Sequence, residues 1–230
     1  MSTQVGLRGH RMQNEERAEG RRRDILLAAA RVFARDGYVD ATLDDVATQM
    51  GVTKGVIYYY FRSKEEIFTE IRATAIREAI ERIEAIVARG EAPEATLRAT
   101  VRDLVGHIFD DLDRFANVLN SGRRLSDESR EMVRMLQRRY EGLIRAIIES
   151  GIRAAIFVDH DPKLMTFTLL RAVLGVTAWY SPEGRLSPEV IADQVTDQVV
   201  RGILRNPPPP TQPRHGRRRG RKDDASTATG

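Results

Sequence analysis

Within 25 residues, from Thr42 to Glu66, the chain starts a helix three times and stops one with glycine. Thr42 precedes Asp45 by three residues, the spacing of a capping box with Asp in place of the usual Glu. Leu43, Val46, Ala47 and Met50 follow at helical spacing and form one apolar face. Gly51 suits the left-handed residue that ends a helix, and Val52 can plug the corner beyond it. Thr53 can cap a second short helix, with Val56, Ile57 and Tyr60 as its inward side. Ser63-Lys64-Glu65-Glu66 is another capping box and opens a third helix.

A helix, a tight turn and a second helix are a device for seating one helix in the DNA major groove. The remaining pattern is also helical. A first helix over 21–36 carries Ile25, Ala29, Val32 and Phe33 and ends at Gly37; a long one over 64–89 carries Ile67, Ile71, Ala75, Ile76, Ile80, Ile83 and Val87. Pro93 suits the first turn of a helix over 94–113, and a short helix follows near 115–121. Ser126 starts a helix ended by Gly151, Asp161-Pro162 starts one over 163–180, and Ser187-Pro188 starts one over 188–204. Strand signals are absent, so the fold class predicted is all-α with about nine helices. The organisation expected is a disordered arm over 1–20 and a helix-turn-helix domain over 21–66. A helical ligand-binding and dimerisation domain follows over 67–205, and then a disordered basic tail over 206–230, opened by four prolines.

Charge is distributed unevenly. The net charge of the 230 residues is +4, yet residues 1–23 carry +3 and residues 206–230 carry +4, which leaves −3 between them. Residues 24–62 hold four basic and five acidic side chains, so the helix-turn-helix is not a basic patch. Phosphate attraction must then come from a few placed cations and the arms. Only four of the 37 basic residues are Lys, and a GC-rich genome explains that arginine bias as well as selection for binding does. With no cysteine, disulfides and thiolate metal sites are excluded. No apolar run is long enough to cross a membrane, and no apolar segment follows the N-terminal charges as in a secretory signal. A soluble, cytoplasmic, nucleoid-associated protein is expected, with no membrane partner and no cofactor.

The segment from Ile25-Leu26 through Phe33-Ala34-Arg35-Asp36-Gly37-Tyr38, then Thr42-Leu43, Val46-Ala47, Gly51-Val52-Thr53-Lys54-Gly55 and Ile57 to Glu65, resembles the DNA-binding domain of the TetR family of transcriptional regulators. The resemblance implies that the recognition helix runs from Thr53 to about Tyr60. Lys54 is then the candidate base contact, since a Lys donor suits the guanine acceptors. Gly55 lets the backbone approach, and Val56 can offer a methyl to thymine or simply pack. Tyr58 and Tyr59 are expected at phosphates, Tyr60 stands where the family often has His, and Lys64 matches a common phosphate contact. Thr42 and Leu43 lie at the start of the preceding helix, where the hydroxyl and its neighbouring amide can bind phosphate. Arg22 and Arg23, just ahead of an acidic stretch, are candidates for the DNA backbone or minor groove. Asp44 stands where some members carry a basic residue.

One helix-turn-helix contacts too few bases for useful specificity, so a homodimer on a palindromic, double-stranded operator is expected. The segment 163–180 is apolar around most of its circumference, which implies burial against more than its own subunit. Phe167, Leu174, Gly175 and Trp179, with Val195, Val199 and Ile203 of the last helix, are the candidate interface; the family pairs these two helices with their mates. Residues 178–189 resemble the corresponding part of members that sense acyl-CoA thioesters. A small-molecule effector among the central helices is thereby implied. Its candidate lining is Leu104, His107, Ile108, Tyr140, Leu143, Phe167 and Arg171, with core packing the competing reading of each, and an ion pair that of Arg171.

The function expected is that of a repressor released by its effector. An activator or an effector-independent regulator is the alternative. A helical enzyme fares worse, because His10 and His215 lie in the arms, His160 sits in a helix-capping loop, and no nucleophile or phosphate-cradling motif occurs. No catalytic or metal residue is assigned. A lipid carrier would have no use for residues 42–66.

Overall fold

The computed structural model describes residues 3–110 and 125–206, with side chains from residue 16 onward. Among these residues the chain forms nine helical segments and no strand, apart from an isolated antiparallel bridge between Phe157 and Leu204. The all-α expectation holds. The helix expected near 115–121 and the tail from residue 207 lie outside the described residues.

The N-terminal unit is built from α1 (Thr3–Asp40), α2 (Leu43–Met50), α3 (Lys54–Tyr60) and the first half of α4 (Lys64–Val87). Helix α1 starts far earlier than residue 21, so the expected disordered arm over 1–20 is corrected to helix from Thr3. Its Gln, Glu, Arg, Met and Leu are sound helix formers, a local propensity that composition arguments for disorder overlook. Regular helix ends where expected, at Gly37, whose φ of 79° and ψ of 148° leave the helical region. Ile25, Ala29, Val32 and Phe33 of α1 are buried against Val46 and Ala47 of α2, Ile57 of α3 and Ile67, Phe68 and Ile71 of α4. Tyr38 packs at a tilt against Phe68, with ring centroids 4.5 Å apart, and meets Phe33 edge-on at 5.6 Å, so the chain leaving α1 is pinned by aromatic packing.

The C-terminal unit adds α5 (Pro93–Asp110), α6 (Asp127–Arg153), α7 (Pro162–Leu174), the single turn α8 (Val176–Trp179) and α9 (Pro188–Arg201). Helix α6 packs on α4 and α7, and α9 lies along α5. Their shared core holds Leu97, Val101, Ile108, Ile144, Ile148 and Val173. Two expected boundaries move. Gly151 does not stop α6; it lies buried inside it, and the chain turns at Ala155, which adopts a left-handed φ of 56°. The reason is packing: a Cβ on Gly151 would meet the Phe157 ring at 2.1 Å. The segment 163–180 is broken at Gly175 into α7 and α8, at the residue with the weakest helix propensity of the run.

Beyond the turn, Val158 N donates to Ile203 O at 2.9 Å and Arg205 N donates to Ile156 O at 2.9 Å. These bonds fasten the end of α6 to the end of α9, with the fully buried Phe157 side chain beneath them. Gly151→Ala is expected to overpack this corner and cost about 1–3 kcal/mol. Ala155→Gly, which relieves the left-handed residue, should raise stability by about 0.5–1 kcal/mol. Denaturant midpoints of the two variants check both; an unshifted midpoint for Gly151→Ala would discard the packing role.

Candidate DNA-binding surface

The turn between α2 and α3 is set by backbone bonds. Gly51, at φ 65° and ψ 33°, caps α2 with its N–H on Ala47 O and Thr48 O, and Val52 N donates to Ala47 O at 3.0 Å. At the start of α2 the capping box forms in full. Asp45 N donates to Thr42 Oγ1 at 3.2 Å, and Thr42 N donates back to Asp45 Oδ2 at 2.8 Å. The Thr42 hydroxyl also donates to that carboxylate at 2.6 Å, and the set of bonds holds Asp45 below the usual carboxylate pKa range. The start of α3 differs from expectation, since the Thr53 hydroxyl makes no capping bond; Val56 N donates to the Thr53 carbonyl instead.

Burial divides the expected DNA contacts. Thr42, Thr53, Lys54, Gly55, Tyr58 and Tyr59 are exposed together along the start of α2 and the outer side of α3, with Tyr59 82 % accessible. The Leu43 side chain is buried in the core, which leaves only its backbone for a ligand. Val56 and Tyr60 are half-buried, and the Tyr60 ring packs edge-on to Tyr59 at 5.0 Å.

Three cations have intramolecular partners that the sequence did not reveal. Lys64 Nζ donates to the carbonyls of Tyr38 at 2.6 Å, Val39 at 3.1 Å and Ala41 at 2.7 Å, and lies 4.6 Å from the Tyr38 ring centroid. An ammonium has three N–H donors. Lys64 spends them closing the end of α1, so in this structure it acts as a clamp at the position expected to contact phosphate. Arg22 donates from Nη1 to Tyr60 O at 2.9 Å, lies 3.7 Å from Glu66 and stacks its guanidinium 4.1 Å above the Phe61 ring. It braces α1 against the end of α3, whereas Arg23 beside it stays exposed. Lys54 Nζ donates to Asp44 Oδ2 at 2.7 Å, a bond that raises the Lys54 pKa. These partners are 10 to 44 residues away in sequence, beyond any periodic signal.

The seven expected effector residues do not all converge. Leu104 and Ile108 are buried in the C-terminal core, with Tyr140 and Leu143 packed against it. Burial pushes the Tyr140 hydroxyl pKa well above its usual value. His107 is half-exposed, its Nδ1 lying 2.9 Å from Asp103 O on its own helix. Phe167 and Arg171 face outward from α7, which corrects their placement as interior lining. A cavity of about 430 Å³ lies instead where the two units meet, between Arg22, Ser63, Glu65, Glu66, Thr69 and Glu70 on one side and Ser126, Glu128, Ser129 and Met132 of α6 on the other. There Glu65 Oε1 accepts from Ser126 N at 2.8 Å, bonding the start of α4 to the start of α6.

A second exposed surface is apolar. Leu164, Phe167 and Trp179 are 63 %, 40 % and 59 % accessible on α7 and α8, while Leu174, Gly175, Val195, Val199 and Ile203 are half-buried. Among the described residues no group of His, Cys, Asp and Glu could hold a metal ion, and no helix is long and apolar enough to cross a membrane.

The comparisons with known proteins agree with this geometry. The family model for bacterial regulatory proteins of the tetR family matches residues 25–71, and that for a tetracyclin repressor-like C-terminal domain matches residues 90–203. The transcriptional repressor KstR2 of Rhodococcus jostii is 27 % identical over 186 residues, which span 80 % of this chain and 91 % of the relative. The crystal structure of a TetR/AcrR-family regulator from Thermobifida fusca is 33 % identical with a TM-score of 0.64, covering 80 % of this chain and 98 % of that one. The fold also matches AibR, solved in complex with isovaleryl coenzyme A and operator DNA, at a TM-score of 0.72 and 23 % identity over 80 % of this chain and 98 % of that one. These relatives are transcriptional regulators and not enzymes. With both of its units matched, the chain belongs to the TetR family of bacterial transcriptional regulators.

Proposed function

We propose that this regulator is a homodimeric repressor that reads a palindromic operator with α3 and is released by an acyl-CoA or a related lipid-derived thioester. The carrying observation is the exposed row of Thr53, Lys54, Gly55, Tyr58 and Tyr59 on a helix whose other side is locked into a core. Lys54 supplies N–H donors for guanine O6 and N7, and the tyrosine hydroxyls and the Thr42 end of α2 meet phosphates. Of the two arginines expected at the DNA backbone, Arg23 is the exposed one, while Arg22 serves as a brace.

Dimerisation is supported by the outward Leu164, Phe167 and Trp179 of α7 and α8 together with the half-buried Val195 and Val199 of α9 and Ile203 just beyond it. Large apolar side chains clustered on one surface are the mark of a protein interface. Two copies joined there would present two recognition helices, as half-sites one or more DNA turns apart require. The thioester assignment draws on the isovaleryl coenzyme A bound by AibR, which shares this fold.

Four outcomes test the reading. Lys54→Ala should lose roughly ten- to a hundredfold affinity on an operator and almost none on a scrambled duplex. Lys64→Ala should instead lower folding stability by about 1–3 kcal/mol, because three carbonyls lose a charged donor. Equal losses on both duplexes from Lys54→Ala would remove its base-reading role. Phe167→Glu combined with Trp179→Glu should turn a dimer into a monomer in sedimentation; a variant that stays dimeric places the interface elsewhere. Coenzyme A thioesters of graded acyl length, titrated against a protein–operator complex, should release the DNA at one preferred length. If no thioester releases it, the effector assignment fails while the DNA-reading assignment stands.

A further inference from the structure

Asp44 and Lys54 form a couple across the helix-turn-helix that bulk charge does not explain. Asp44 sits in the first turn of α2, where the helix dipole favours a carboxylate, but the capping work there is done by Asp45. The Asp44 carboxylate instead reaches across to α3 and accepts from Lys54 Nζ at 2.7 Å. Both side chains are open to solvent, at 47 % for Lys54 and 60 % for Asp44. An exposed pair of this kind adds little to folding. Its consequence is for DNA binding.

A lysine that neutralises a phosphate releases condensed counterions, and this sequence-independent gain drives non-specific binding. Lys54 held by Asp44 is half of a neutral couple and offers no such gain. Its ammonium still has N–H donors to spare, since the bond to Asp44 uses one of three. Two donors are what guanine O6 and N7 require. The carboxylate also stands at the surface that faces the DNA, where a phosphate brought close without a base partner for Lys54 meets repulsion.

We propose that Asp44 is a specificity-determining residue: by pairing with Lys54 it withholds that cation from phosphates and keeps it for a guanine edge. The idea rests on the DNA-reading role of α3 given above. It also gives a physical reason why residues 24–62 carry more acid than base on a protein that must approach DNA. Asp44 lowers affinity for the wrong sequence by more than it lowers affinity for the right one, which is specificity gained by penalising competitors.

The test uses the full chain and a duplex selected by the wild-type protein from a random-sequence library, with a scrambled copy as the competitor. Asp44→Asn keeps the shape of the side chain and removes its charge, and a thermal melt checks that it folds. On the scrambled duplex it should bind several-fold tighter, with a salt slope steeper by about 0.9, the value of one added phosphate contact. On the selected duplex the change should be smaller, so the ratio between the two falls. In a Lys54→Ala background Asp44→Asn should leave that ratio unchanged. A gain that is equal on both duplexes, with or without Lys54, would overturn the proposal and reduce Asp44 to a local repeller of phosphate. If the wild-type chain enriches no sequence at all, the DNA-reading role itself falls, an outcome distinct from the failure of the couple.

Discussion

Helix α4 belongs to both halves of the molecule, and the rest of the structure depends on how it is held. Its first turns carry Ile67, Phe68 and Ile71 into the N-terminal core, and its later turns carry Ile76, Ile80 and Ile83 toward α5 and α6. At 24 residues it is a rod of about 36 Å. A rod buried at both ends transmits a tilt with little loss, because packed interiors resist deformation. The Lys64 clamp and the Arg22 brace then fix the two short helices to the rod's first turn. The recognition helix is too short to be stable alone, so its position is the position of these contacts.

Much of this was legible in local sequence. Capping boxes, the Gly51 stop and the apolar stripes foretold α2, α3, α4 and α5 to within a few residues, because those signals act over three or four positions. Three features were not. Helix from Thr3 was hidden because polar composition speaks for disorder while the individual residues favour helix. Gly151 read as a stop, yet its lack of a Cβ serves the Phe157 ring six residues on, a contact visible only once the chain has turned. Lys64 and Arg22 read as DNA ligands because cations at those positions suit phosphate; their partners are backbone carbonyls fixed by tertiary geometry. A charged residue in a motif says where a cation is and not what it holds.

The outward face of α7 and α8 shows the same limit from the other side. Its sequence is apolar all round, which demanded burial; the fold buries Met165, Leu169, Leu170 and Val173 and leaves Leu164, Phe167 and Trp179 uncovered. Periodicity distinguishes buried from exposed only for a helix with one polar side. For a helix with two apolar sides it takes the fold to say which side is left uncovered.

Coupling between an effector and DNA is a difference in affinity between two conformations, so it must act through something that differs between them. The Glu65–Ser126 bond joins the first turn of α4 to the start of α6, beside the cavity where the two units meet. Hydrogen bonds from Ser126 and Ser129 hold Glu65 below the usual carboxylate pKa range, which marks the bond as favourable to the charged form. It lies close to the Arg22–Glu66 contact, so the brace on α3 and the tie to α6 share one turn of one helix. The contacts that tie α6 and α3 to α4 thus sit on neighbouring residues, Glu65 and Glu66.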